Sequence, residues 1–304
     1  MGIARQGRRL AGCGIQCHRQ PGRRHSSFFR RPKMKYLWGW LLFFMIAPVA
    51  AGPQLVVLDV GEGQSLLVQQ GDRGILIDTG HPGKARHVLD RLSALGVAHL
   101  DYLMLTHLHP DHAGGYFRLR EAWPETPVLY SGQPLPADVQ PDLTRWVNDA
   151  LGQDPNRRIL TAGDTLQWQG ITLEVLWPEK FMNRNLNEHS LVLLLSHGET
   201  RVLIMGDANQ TVEQALLRQK RLPESIDVLV VGHHGAADAS SKAFIDRVHP
   251  KLAIISVNSN NIRGYPSAEV LRRLEKAGAK LLRTDRQGEI SLDLETGVLS
   301  PDSR

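Results

Sequence analysis

From Gln54 onward, short apolar runs alternate with amphipathic stretches, and turn residues separate them. Three strands are predicted at Leu55–Val60, Ser65–Gln69 and Gly74–Asp78, divided by the turns GEG and QGDRG. A helix over Ala85–Leu95 stops at Gly96, and a buried strand follows at Tyr102–Leu105. Strand patterns return at Thr165–Trp168, Ile171–Leu176, Ser190–Ser196 and Arg201–Met205, the last two forming a hairpin around His197–Thr200. Then come a helix (Thr211–Gln219), a strand (Ile226–Val231), a helix (Ser241–Val248), a strand (Leu252–Ser256), a helix (Ser267–Lys276) and two strands (Lys280–Arg283, Glu289–Leu294). The Pro-, Asp- and Gln-rich segment Ser131–Gly163 reads as irregular, an insertion near a substrate mouth. Meandering strands in both halves with interleaved helices predict an α/β domain of two packed sheets covered by helices.

The N-terminal part does not follow this pattern. Residues 36–51 read YLWGWLLFFMIAPVAA, behind Lys33 and Lys35. A positive start, an apolar run of about 12 residues and small residues at Val49 and Ala51 are the three parts of a secretory signal, predicting cleavage after Ala51 and an exported, periplasmic or secreted product. The run falls short of the roughly 20 residues that span a bilayer, and Pro48 interrupts it, so no stable membrane anchor is expected after cleavage. Met34 reads as the translation start and residues 1–33 as an upstream extension, residues 34–51 as the signal and 52–304 as the domain; an acid-free organelle transit peptide is the alternative. Both cysteines, Cys13 and Cys17, lie in the extension, so the exported chain needs no disulfide.

This division changes the meaning of the charge. The 304 residues carry 36 Lys and Arg against 31 Asp and Glu, net +5, but residues 1–35 hold ten of the basic residues and no acidic one. What remains is 26 against 31, or −5. The domain therefore lacks the overall basic footprint of a duplex binder, and bulk charge says nothing in favour of nucleic acid.

The chemistry concentrates in Thr106-His107-Leu108-His109-Pro110-Asp111-His112-Ala113-Gly114-Gly115, just after the buried strand. Residues two apart on an extended chain share a side, so His107 and His109 can present two imidazoles to one ion. Asp111 and His112 follow a proline turn and can reach a second ion. Imidazole with carboxylate suits Zn²⁺, with Mn²⁺ or Fe as alternatives. Two later strand ends add donors: Met205-Gly206-Asp207, whose carboxylate can bridge two ions, and Gly232-His233-His234-Gly235, one of whose imidazoles can complete a shell.

Taken together, these residues resemble the metallo-β-lactamase superfamily, which implies an αββα sandwich with one or two metal ions at one edge. The succession LDVGEGQS (58–65), LIDTG (76–80), LTHLHPDHAGG (105–115), HSLVLLL (189–195), LIMGD (203–207), DVLVVGHHG (227–235), NSNNIRGYPSAEVLRRL (258–274) and RTDRQGEI (283–290) is similar to the hydrolase domain of ComEC-type competence proteins and their stand-alone relatives. By position, the resemblance implies His107 and His109 as ligands of the first metal, Asp111 and His112 of the second, and Asp207 as the bridging acid. It implies His233 as the remaining ligand, with His234 as the alternative. Asp78 corresponds to the acid behind the site that orients a metal-bound imidazole.

Some positions depart from the pattern. Where the wider superfamily carries a further histidine, this chain has Asn185, Leu186 and Asn187, as the ComEC-type group tends to; His189 is the substitute candidate. Glu62 and Gln64 stand in GEGQS where GQGD is usual, and Tyr265 replaces a histidine.

The implied mechanism is metal-assisted hydrolysis, with Asp111 or Asp207 orienting water and taking its proton. Asn258, Asn260, Asn261, Arg263 and Tyr265 are candidates for phosphate or leaving-group contacts. The leading expectation is a hydrolase of phosphodiesters, in DNA or an envelope component, with no protein partner evident. The alternatives are a β-lactamase or other amide or ester hydrolase, and an inactive metal-binding partner in DNA uptake.

Overall fold

Strands buried on both faces read as continuous apolar runs, and here they form the middle of a four-layered structure. The computed structural model describes residues 52–136, 139, 142–179 and 185–299; the extension, the signal segment and both cysteines lie outside the described residues. The first sheet contains β1 (Gln54–Val57), β2 (Leu66–Gln70), β3 (Arg73–Ile77), β4 (His99–Leu105), β5 (Val128–Tyr130) and β6 (Arg157–Ile159). The second contains β7 (Thr165–Trp168), β8 (Ile171–Trp177), β9 (Val192–His197), β10 (Thr200–Ile204), β11 (Val228–Val230), β12 (Leu252–Ile255) and β13 (Lys280–Arg283). The last strand, β14 (Ile290–Asp293), returns to the first sheet and pairs antiparallel with β1, Leu55 opposite Leu292.

The first sheet runs in the order β14-β1-β2-β3-β4-β5-β6 and the second β13-β12-β11-β10-β9-β8-β7. Each has an antiparallel part and a parallel part. In the first, β3 to β6 are parallel, and in the second, β10 to β13. Between the sheets lie Leu55, Val68, Ile77, Met104, Leu193, Leu195, Ile204 and Val230, among others. The alternate residues face outward: Val192, Leu203 and Leu229 meet α5 (Gln210–Arg218), α6 (Lys242–Val248) and α7 (Ala268–Lys276). Leu67, Leu76 and Leu105 meet α1 (Ala85–Ala94), α3 (Tyr116–Ala122) and α4 (Asp142–Gln153). Each such side chain contributes about 1.5–3 kcal/mol on burial, which is what makes the αββα layering hold.

The predicted elements reappear with their ends displaced by at most three residues, and α3 and β5 stand where no element was expected. The exception is Ser131–Gly163, expected to be irregular and near the mouth. It contains the twelve-residue helix α4 and the edge strand β6, and α4 buries Val147 and Leu151 against the first sheet's outer layer. None of its described residues lines the main cavity. Thr144 Oγ1 donates 2.8 Å to the Leu108 carbonyl, so the helix braces the histidine loop from behind. Among the described residues no helix is long and apolar enough to cross a membrane.

Candidate metal centre

Parallel strands bring their C-terminal ends to one edge, and loops leaving that edge form crevices. β3 ends one residue before Asp78, β4 leads into Thr106–His112, β10 into Gly206-Asp207, and β11 into His233-His234. Pro110 opens a short helix, α2 (Pro110–Ala113), with His109 as its extended N-cap residue. That turn carries Asp111 and His112 inward.

Two glycines permit the approach. At Gly63, φ is +112°, and a Cβ would stand 2.0 Å from the Asp111 carbonyl oxygen. At Gly206, φ is +53°, and a Cβ would crowd Thr106 and Ser190. Ser190 Oγ accepts the Asp207 N–H at 3.0 Å, which directs that carboxylate across the gap between the sheets.

Donor atoms of Asp111, His112, Asp207 and His234 lie within 4.8 Å of one another, and so do those of His107, His109 and Asp207. Asp207 is common to both groups. His112 Nε2 is 3.0 Å from Asp207 Oδ1, and His234 Nε2 is 3.4 Å from the same atom and 3.6 Å from Asp111 Oδ2. His107 Nε2 is 3.7 Å from Asp207 Oδ2 and 3.0 Å from His109 Nδ1.

Partners behind the site assign the tautomers. Asp78, fully buried, accepts the Thr106 N–H (2.7 Å), the Thr106 hydroxyl (2.8 Å), the Gln64 amide (2.9 Å) and His112 Nδ1–H (2.7 Å). His234 Nδ1–H donates 2.9 Å to the Ser256 carbonyl. In both rings a proton is held at Nδ1, so Nε2 is the atom turned toward the cluster.

Charge follows position. Burial pushes His107 and His109 down, toward the neutral form that a ligand needs. Burial opposes ionisation of Asp207, but His112 and His234 outweigh it and hold the carboxyl well below its usual range; Asp111 is lowered in the same way by His234 and His112. His112 differs from His107 and His109: burial works against its charge, yet Asp207 and Asp78 raise it.

Such a set fits a divalent cation. Asp207 Oδ1 is buried with no hydrogen-bond partner among the described residues, although three imidazoles surround that carboxylate. A buried acceptor left open costs about 1–3 kcal/mol unless something fills it. Six imidazole and carboxylate groups gathered in two sets that share Asp207 supply what Zn²⁺ or Mn²⁺ takes up.

One assignment differs from the sequence expectation. His234, not His233, joins the cluster. Two consecutive left-handed residues (φ 49° and 53°) reverse the chain here, so adjacent rings point to different places. His233 instead places Nδ1 2.9 Å from Asp238 Oδ1 and Nε2 3.2 Å from Asn187 Nδ2, lining the cavity in front. His189 is also outside both groups; it is buried beside a small separate void with His107, Tyr130 and Gln133.

Asn261 does not line the cavity either: its side chain bonds the Tyr265 N–H and the carbonyls of Asn258 and Tyr265, building the loop. Tyr265 does line it, as do Glu62, His81, Asn187 and Arg263. The cavity measures about 640 Å³. Residue pattern alone did not single out Thr106, Ser190 or Ser256, whose roles rest on a hydroxyl or carbonyl meeting a distant segment.

A helix-covered pair of sheets with this donor edge defines a metal-dependent hydrolase fold. The chain belongs to the metallo-beta-lactamase superfamily, whose family model matches residues 58–259. It is similar to recombination protein 2 of Haemophilus influenzae, 31% identical over 245 residues that make up 79% of this chain and 29% of that protein. It is likewise similar to competence protein ComA of Neisseria gonorrhoeae, 31% identical over 271 residues, 85% of this chain and 36% of that one. The chain thus spans about a third of the length of these relatives. Among solved structures, a metal-dependent hydrolase of the beta-lactamase superfamily superposes with a TM-score of 0.51 at 16% identity, covering 76% of this chain and 95% of that one. At those identities the likeness is one of fold.

Proposed function

We propose that this protein is an exported metal-dependent phosphodiesterase, acting on DNA or on another phosphodiester such as an envelope component. One observation carries the reading: two donor groups share Asp207 at the floor of an open polar cavity whose rim bears an arginine. The similarity to competence proteins over most of the chain supports a role in DNA uptake.

His107, His109 and Asp207 would hold one ion, and Asp111, His112, Asp207 and His234 a second, zinc or manganese. When bound, such ions polarise a phosphoryl group and bring the pKa of coordinated water from roughly 15.7 toward about 7. The remaining work belongs to the chain. Asp78 and the Ser256 carbonyl keep His112 and His234 in one tautomer. Asp111, at the cavity face, orients the attacking water and accepts its proton, with Asp207 as the fixed anion beneath it. His233, steadied by Asp238 and Asn187, and Tyr265 border the place where the ester group lies.

The test is turnover of bis-p-nitrophenyl phosphate, single-stranded DNA and nitrocefin by the purified chain loaded with Zn²⁺ or Mn²⁺, beside Asp111→Ala and Asp207→Ala. Phosphodiester cleavage lost in both variants is the expected result. Intact phosphodiesters under both metals refute it; nitrocefin turnover would put an amide hydrolase in its place, and metal binding without any turnover an inactive partner. Export is tested by the N-terminal sequence of the secreted chain, expected near Gly52.

A further inference from the structure

The loop after β12 ends over the cavity. Its base is locked by the Asn261 amide, and its tip presents Ile262, fully exposed, followed by Arg263. The Arg263 side chain is half exposed and turns back across the mouth: Nη1 lies 3.2 Å from Glu62 Oε1 and 3.6 Å from Asp111 Oδ2. Glu62 belongs to the GEG turn of the first sheet, so the pair spans the two halves of the sandwich. Besides Glu62, the other titratable groups among the described residues that line the cavity are Asp111, Asp207, Tyr265 and the imidazoles of His81, His109 and His233, and among these described residues Arg263 is the permanent cation.

A solvent-facing ion pair of this kind stabilises a fold very little, whereas the planar guanidinium fork matches phosphate oxygens as well as it matches a carboxylate. A guanidinium within 3.6 Å of a carboxylate of the cluster also stands where an ester phosphate over that cluster would place its oxygens. We propose that Arg263 binds a phosphate of a polyanionic phosphodiester chain, and that Glu62 is its resting partner, displaced when the phosphate arrives. The substrate class rests on the phosphodiesterase reading, but the contact itself is read by binding. Position favours a chain over a small diester: Arg263 sits at the rim, beside an exposed apolar residue, where a strand leaving the cavity must pass.

The experiment uses the full metal-loaded protein and a short fluorescent oligothymidylate with phosphorothioate linkages, followed by anisotropy across a salt series. Arg263→Ala is expected to weaken binding about tenfold and to reduce the slope of log K against log salt by about 0.7, one phosphate contact on a single strand. Arg263→Lys keeps the slope and recovers part of the affinity. Glu62→Gln tightens binding about threefold, since a competing anion is gone. Arg86→Ala, removing an exposed cation from α1 away from the cavity, changes neither quantity.

An Arg263→Ala variant that behaves like Arg86→Ala, or wild type that does not bind the probe, overturns the proposal; an unchanged Glu62→Gln removes the resting partner. Turnover of bis-p-nitrophenyl phosphate by the wild type reports separately on the phosphodiesterase reading. If that ester is cleaved while Arg263→Ala binds normally, only the inference about Arg263 has failed.

Discussion

Replacing Asp78 by Asn removes one charge from the fully buried centre of the site while leaving its shape nearly intact. The backbone at Asp78 is left-handed, φ 62°, a conformation asparagine adopts readily, so the strand end survives. The hydrogen bonds do not. Oδ2 accepts from the Thr106 hydroxyl, the Gln64 amide and His112 Nδ1, and an amide NH₂ in its place offers donors to three donors. Thr106 can rotate and Gln64 can flip, but His112 must move its proton to Nε2, the atom 3.0 Å from Asp207 Oδ1.

A protonated Nε2 cannot ligate, and loss of such an outer partner costs about 10–100-fold in metal affinity. That equals about 1.4–2.8 kcal/mol. Global stability of the metal-free protein is expected to fall by a further 1–3 kcal/mol, roughly the cost of one buried group left badly paired. Competition against a chromophoric chelator gives the affinity, and urea unfolding in EDTA gives the stability. Asp78→Asn binding Zn²⁺ within threefold of wild type would show that Asp78 does not determine the His112 tautomer.

Three other outcomes are expected. His234→Ala should lose one equivalent of bound metal by atomic absorption, and His233→Ala should retain it; the reverse result would restore the ligand set expected from sequence. Gly63→Ala, whose methyl group would meet the Asp111 carbonyl at 2.0 Å, should lower stability by about 2–3 kcal/mol and metal content with it, read by thermal unfolding and metal analysis. Glu213 supplies a pH test away from the metal. Buried in α5, it accepts the N–H groups of Ser240 and Ser241, and burial, only partly offset by those bonds and Arg273, raises its pKa above the ordinary 4.5. A raised folded value means that its contribution to stability is fully present below the unfolded value and is lost as pH rises through the folded one. Stability of Glu213→Gln relative to wild type should therefore increase in chemical denaturation as pH rises from the ordinary glutamate value of 4.5 through the raised folded one; a decrease would contradict the direction of the shift.

The order of apolar runs was enough to predict two sheets covered by helices, because strands buried on both faces and amphipathic helices repeat at distinct periods. The cluster His107-x-His109-x-Asp111-His112 was legible for a similar reason: its donors are neighbours in the chain, and local geometry alone can aim them together. The helix α4 was not legible. Leu143, Val147, Ala150 and Leu151 recur at helical spacing along it, but the Pro-, Asp- and Gln-rich flanks read as turns and hid the pattern.

The choice between His233 and His234 was also beyond the sequence. Adjacent histidines are equivalent on paper, and only the reversal at two left-handed residues, with Ser256 waiting for the second ring, separates a ring facing the donor cluster from one facing the cavity. Glu62 and Arg263 stood about 200 residues apart as unrelated departures and a loop cation. Their pairing depends on two sheets packing face to face, which a one-dimensional pattern cannot specify. Sequence by itself determined which donor groups the chain carries; tertiary structure decided which of their atoms come together, which groups hold them in place and which cation stands at the rim of the cavity, because those relations are distances between segments that only packing brings together.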